Sequence, residues 1–171
     1  MNGDIALGIK LLALDVDGVL TDGRITYSSG GEELKSFNIR DGLGIKLLQR
    51  SGIEVAIITG RSSPMVERRA RELGIERIVQ GREDKCAALQ ELCAQLDIPV
   101  QACAYMGDDL PDLGAVRAAG LGLTVADASP ALLAAADWHS ARPGGMGAVR
   151  EACEALLGAR GQWAALEAEF L

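Results

Sequence analysis

Histidine is nearly missing from this chain: His139 is the only one in 171 residues. The four cysteines, Cys86, Cys93, Cys103 and Cys153, form no Cys-x-x-Cys pair. Together these shortages argue against the usual zinc sites, which need clustered thiolates and imidazoles. Cysteine catalysis is disfavoured on similar grounds, because a thiol nucleophile needs a base close by. Cys86 and Cys93, seven positions apart in a helical pattern, read as small buried hydrophobes of a reducing compartment. No apolar run approaches the roughly 18 residues of a membrane span, and the opening MNGDIALGIK lacks the regions of a signal peptide. A cytoplasmic protein is therefore expected. There is no basic excess either: the net charge of −7 argues against a nucleic-acid or anionic-membrane partner. Repeats, low-complexity tracts and linkers are not seen.

What remains is the composition of an ordinary globular protein, 49% hydrophobic and 24% charged, of a length that suits one domain over 1–171. Its organising stretch is LLALDVDGVLTDG, residues 11–23. Leu11 to Leu14, with no polar alternation, is the pattern of a strand buried on both faces. Asp15 and Asp17 then emerge where open α/β sheets do their chemistry, at a strand's carboxyl end. Gly18 permits a sharp turn and a close approach. Read alone, the same residues are ordinary turn formers.

The rest of the chain alternates strand and helix. Arg24 to Asn38 reads as a β-hairpin, and Asp41 as the cap of a helix with Leu43, Leu47 and Leu48 inward, ending at Gly52. Strands follow at Ile53–Ile58, Arg77–Gln80, Cys103–Met106, Leu121–Val125 and Asp137–Ser140. Helices are expected from Ser62 or Ser63 to Leu73, over Glu83–Leu96 with Ala87, Leu89, Leu92, Cys93 and Leu96 inward, and over Leu113–Ala119, Pro130–Ala135 and Ala148–Leu157. Gly144 to Gly147 reads as a flexible loop. Such alternation predicts an α/β fold with a doubly wound parallel sheet, carrying a hairpin flap and no insertion large enough for a cap domain.

Four strand ends carry polar groups: Asp15 with Asp17, Thr59 to Arg61, the region of Lys85, and Asp108 with Asp109 and Asp112. A parallel sheet brings all of them to one edge. Carboxylates crowded there repel, and the simplest remedy is a hard divalent cation; magnesium takes one or two carboxylates plus substrate phosphate. Paired carboxylates also suit a division of labour between nucleophile and proton shuttle. A metal, a lysine, a hydroxyl and backbone N–H groups are what phosphoryl transfer asks for.

DVDGVLTDG, ITGR, the lysine at 85 and GDDLPD, in this order and spacing, resemble the four motifs of the haloacid dehalogenase superfamily of phosphohydrolases. The resemblance implies that Asp15 is the nucleophile and Asp17 the acid and base. It further implies that Thr59 binds the phosphoryl oxygens and Lys85 steadies nucleophile and phosphate. Magnesium would sit on Asp15, the backbone carbonyl of Asp17, and Asp108, with Asp109 and Asp112 behind them or at a helix start. GEELKSFNIRDGLGIKLL, VAIITGR, GDDLPDL and GGMGAVREAC also resemble the family of 3-deoxy-D-manno-octulosonate 8-phosphate phosphatases over about residues 8–157, leaving 158–171 as a tail. These are capless tetramers that serve lipopolysaccharide synthesis, with hairpin and tail packed at subunit contacts so that a neighbour helps close each site. By that resemblance Asn38, Ile39, Arg40, Asp41, Gly42 and Lys46 line the phosphorylated sugar acid beside Asp17, Gly60 and Lys85, and Arg61 and Arg69 hold its carboxylate.

Plainer readings stand beside these. Lys85 is equally a solvated residue at a helix start, Arg61 and Arg69 are equally parts of a charged outer face with Arg68 and Arg71, and Lys46 is equally a surface lysine. The tail Gln162–Leu171 is an ordinary terminal helix in a monomer, or an oligomer contact through Trp163, Leu166 and Phe170. Ser62-Ser63-Pro64 stands where comparable members carry a basic residue, which bears on the sugar and not on the chemistry. Rival functions are a phosphatase for the nine-carbon analogue, 2-keto-3-deoxynononate 9-phosphate, and a tetramerisation module without catalysis. Arg61 favours the eight-carbon substrate, and the full set of polar strand ends speaks against a module.

Overall fold

The computed structural model describes residue 1 and residues 3–171. A short helix that the sequence pattern did not predict, α1 (Gly3–Gly8), leads into β1 (Leu11–Leu14), which is buried at every position. The chain then leaves the main sheet as an antiparallel hairpin of β2 (Thr26–Tyr27) and β3 (Glu33–Leu34). With β4 (Glu54–Ile58), β5 (Arg77–Val79), β6 (Cys103–Gly107), β7 (Leu121–Thr124) and β8 (Trp138–His139), β1 makes a six-stranded sheet in the order β5-β4-β1-β6-β7-β8. Every neighbouring pair is parallel. The chain builds outward from β1 to β5, returns, and builds outward again to β8. Strand order therefore reverses at β1, and the crevice of an open α/β sheet lies at such a reversal. Leu14 pairs in register with both Ile57 and Met106, so Asp15, Thr59 and Asp108 leave the sheet along one edge.

The helices are α2 (Ile39–Arg50), α3 (Pro64–Leu73), α4 (Lys85–Gln95), α5 (Leu113–Ala118), α6 (Pro130–Ala135), α7 (Ala148–Ala159) and α8 (Trp163–Ala168). α2 packs along α7, which also receives α1 and α8, while α4 packs on α5 and α5 on α6. Helix α3 begins at Pro64 and ends at the left-handed Gly74, as its sequence predicts.

Packing overrides four local expectations. Asp41 does not cap α2; Asn38 does, accepting the Arg40 N–H at 2.8 Å. Asp41 is buried in the first turn of α2, and its Oδ1 accepts the Arg150 N–H at 2.8 Å. It thereby caps α7, whose own capping position is Gly147 and offers no side chain. The inward face of α2 is Ile45, Leu47 and Leu48, with Leu43 left 40% exposed. In α4, Ala88 and not Ala87 is buried, because Lys85 itself takes an inward position at the helix start. Residues 144–147 are held, not free: the Gly145 N–H donates to the Val19 carbonyl at 2.9 Å. A Cβ at Gly144 would lie 1.8 Å from the Gly18 oxygen, so only glycine permits that approach. In the tail, Trp163 and Leu166 are half-buried against the core, Arg150 stacks 5.2 Å over the Trp163 ring, and Phe170 stays exposed.

Candidate active site

The loop after β1 turns at Gly18, which has φ +93°. A Cβ there would fall 2.0 Å from the Asp108 carboxylate, so the backbone after one strand lies directly against the acid that follows another. Asp15 is 4% exposed and sits 2.9 Å from the Lys85 Nζ. Lys85 comes from the first turn of α4, in the same stripe as Ala88, Leu89 and Leu92. Its ammonium reaches Asp112 Oδ1 at 2.8 Å, and that oxygen also accepts the Tyr105 hydroxyl at 2.7 Å. The second Asp112 oxygen accepts the backbone N–H groups of Asp108 at 3.2 Å and Asp109 at 3.4 Å. Asp112, expected only behind the site or at a helix start, is completely buried and ties β6, α4 and the loop between β6 and α5 together.

Oxygens of Asp15, Asp108 and Asp112 lie within 4.8 Å of one another. Burial first, and then the neighbouring Asp112 charge, push the carboxyls of Asp15 and Asp108 up to about 7 against the restraining effect of Lys85. Burial works against the Lys85 ammonium, yet Asp15 and Asp112 outweigh it and hold its pKa above the ordinary value. Three carboxylates facing one ammonium leave a deficit of positive charge, which a hard divalent cation with oxygen ligands fills. Asp112 already accepts four donors, so Asp15 and Asp108 are the oxygens with capacity to spare.

Asp15, Asp17, Thr59, Gly60, Arg61, Glu83, Lys85 and Pro111 line one cavity of about 530 Å³. Of the residues expected from sequence, six thus converge and Asp108 adjoins them. The Asp17 side chain turns away from the acidic cluster: its Oδ1 accepts a hydrogen bond from Lys35 of the hairpin. Lys35 also lies 3.2 Å from Glu33, and Glu33 Oε2 accepts from Arg61 Nη2 at 2.7 Å. Lys35 and Arg61 together hold the Glu33 carboxyl below its usual range.

Seven expected residues stand elsewhere in this chain. Asn38 caps α2 and donates to the Gly145 carbonyl at 3.2 Å, Ile39 is 82% exposed, and Asp41 is committed to α7. Gly42 lies against Arg69, whose Nη2 donates to the Asn38 carbonyl at 3.3 Å and whose guanidinium stands 5.9 Å over Phe37. Arg40 lines a separate cavity of about 370 Å³ with Arg142 and Arg150, and Lys46 is exposed on α2. Sequence reasoning missed Tyr105, Glu33 and Lys35. Tyr105 carried a legible signal, a hydroxyl in an otherwise apolar strand two positions before Gly107; Lys35 carried none beyond its place in the hairpin.

A family model for haloacid dehalogenase-like hydrolases matches residues 38–120. The chain is 50% identical over 157 residues to the 3-deoxy-D-manno-octulosonate 8-phosphate phosphatase of Escherichia coli K12, covering 92% of this chain and 84% of that protein. The crystal structure of the Moraxella catarrhalis phosphatase of that name, in complex with magnesium, phosphate and 3-deoxy-D-manno-octulosonate (KDO), superposes with a TM-score of 0.97 at 51% identity over 99% of this chain and 97% of that one. The Yersinia pestis phosphatase gives 0.92 at 47% identity over 95% and 88%. With half of its residues shared over nearly its whole length, the chain belongs to the 3-deoxy-D-manno-octulosonate 8-phosphate phosphatases, a family of haloacid dehalogenase-like hydrolases.

Proposed function

We propose that the chain hydrolyses 3-deoxy-D-manno-octulosonate 8-phosphate to KDO and phosphate through a phosphoryl group carried on Asp15. The observation that carries this reading is the convergence of Asp15, Lys85 and Thr59 at one cavity, with Asp108 and Asp112 clustered against Asp15 and Lys85. An Asp15 oxygen attacks phosphorus while the ester bond to the sugar oxygen breaks, and Asp17 hands that oxygen a proton. Asp17 then takes a proton from water as the water displaces phosphate from Asp15. Lys85 holds the Asp15 carboxylate in place and faces the phosphoryl oxygens, and the Thr59 hydroxyl donates to them. Magnesium, held by Asp15, Asp108 and the Asp17 carbonyl, supplies neutralisation of phosphoryl charge. Arg61 reaches the sugar-acid carboxylate, its planar fork matching that group.

A homotetramer is part of the same proposal. The hairpin exposes Ile25, Tyr27 and Leu34, and α2 exposes Ile39 beside it. Contacts between subunits would cover these side chains, and would carry Arg40 and Lys46 toward a neighbour's substrate. A cytoplasmic role in making the lipopolysaccharide precursor fits a chain in which no described helix is long and apolar enough to cross a membrane.

The test is phosphate release from 3-deoxy-D-manno-octulosonate 8-phosphate with and without magnesium, beside neutral hexose phosphates and the nine-carbon sugar-acid phosphate. Metal-dependent preference for the eight-carbon acid is expected. Equal rates across the panel would overturn the substrate, and no release from any ester would overturn the enzyme.

A further inference from the structure

Arg61 is already occupied in this chain. Its Nη2 donates to Glu33 Oε2 at 2.7 Å, and its Nε lies 3.9 Å from Asp17 Oδ2 at the cavity wall. A carboxylate thus sits on the guanidinium that the proposed function gives to the substrate's carboxylate. Glu33 belongs to the hairpin, a separate two-stranded sheet joined internally by only two residue pairs, Thr26 with Leu34 and Tyr27 with Glu33. It can withdraw without disturbing any strand of the main sheet. The Glu33 side chain is 21% exposed and that of Arg61 43%, so the contact between them is partly solvated and open to exchange, while the buried Glu33 Oε1 stays 3.2 Å from the Lys35 ammonium, which is 2% exposed and held on Asp17.

We infer that Glu33 is an internal competitor for Arg61: its carboxylate holds the guanidinium in the empty site, gives way to the carboxylate of the sugar acid, and returns to displace the product. The exchange keeps charge constant, since one carboxylate replaces another on the same fork. It also answers a difficulty of the reaction. KDO keeps its carboxylate after phosphate has left, so Arg61 would hold product as firmly as substrate if nothing competed for it. This inference rests on the proposed function and names a residue that sets how tightly that site grips an acid.

The experiment is calorimetric binding of KDO to the wild type and to E33Q, which keeps the side-chain shape and removes its charge. Both are repeated in an R61A background. The inference predicts a Kd lower by about two- to fivefold in E33Q, the population factor set by an exposed ion pair, and no change when Arg61 is absent. The KM for the sugar-acid phosphate falls with it, while the KM for a neutral hexose phosphate does not. An unchanged or weaker Kd in E33Q would overturn the inference and make Glu33 a residue that merely orients Arg61. E33A, which removes the side chain beyond Cβ, must show the same direction. The substrate reading is judged separately, on the wild-type preference for the acid: preference retained with Kd unmoved sinks the competitor alone. A wild type that neither prefers nor binds the acid sinks both.

Discussion

Two charged clusters meet at the same sheet edge and solve the same problem in opposite ways. The inner one, Asp15, Lys85, Asp108 and Asp112, is mostly buried and holds three carboxylates against one ammonium. The outer one, Asp17, Glu33, Lys35 and Arg61, balances two carboxylates with two cations. Burial makes the inner imbalance costly, since water screens it only from the cavity side. The deficit is then a standing demand for a cation, and Asp112 at its centre is fixed by Lys85, the Tyr105 hydroxyl and the backbone N–H groups of Asp108 and Asp109. The outer cluster is already neutral and draws Glu33 and Lys35 from a small hairpin. Under the proposed function, rigid placement belongs to the carboxylate that attacks phosphorus, and adjustability to the residues that recognise the sugar acid.

The sharpest way to break this comparison is to remove one inner charge. Asp15→Asn is expected to lower turnover by on the order of 10⁴-fold or more, because an amide cannot accept the phosphoryl group. Its melting temperature at pH 8 should equal or exceed that of the wild type, since one member of a repelling set is gone. Retained activity in a folded variant would sink the nucleophile assignment. Next comes Asp112→Asn. Both Asp112 oxygens accept hydrogen bonds, from Lys85, Tyr105 and two backbone N–H groups, so an amide turns one acceptor into a donor facing donors. A loss of about 3 kcal/mol is expected in urea unfolding, within the range for breaking a buried pair. A loss under about 1 kcal/mol would show the knot to be ornamental.

Smaller effects belong to the outer cluster. Lys35→Met should reduce kcat about tenfold with little change in KM, because Asp17 loses the partner that orients it, and Lys35→Arg should restore part of the loss. An unchanged kcat would remove Lys35 from the reaction. Last is a pH effect on stability. Asp15 and Asp108, pushed up to about 7 in the folded chain from an ordinary 3.8, keep protons that the unfolded chain has lost. Metal-free stability therefore falls as pH rises between about 4 and 7. Added magnesium favours the deprotonated pair, so the gain in melting temperature should be a few degrees larger at pH 8 than at pH 6. A gain that is flat or larger at pH 6 would contradict the raised carboxyls as its origin.

The sequence alone determined the framework. An unbroken apolar run buries a strand on both faces, alternation with helices demands parallel pairing, and parallel pairing sends Asp15, Thr59 and Asp108 to one edge whatever the loops do. Lys85 was half legible: it occupies the stripe of Ala88, Leu89 and Leu92, a position where a lysine is retained only if something inside receives its charge. Tertiary structure decided the rest, because those choices depend on which element arrives opposite. Asp41 looked like the cap of its own helix and serves another, since the capping position of α7 is Gly147, which has no side chain to offer. Asp112 looked like helix-start charge and became the centre of four hydrogen bonds, since Tyr105 and Lys85 reach it from other elements. Lys35 and Glu33 gained their contacts with Asp17 and Arg61 only when the hairpin folded over the sheet edge. Periodicity reports which side of an element is apolar, but hydrogen-bond partners across elements follow from the packing of the whole chain.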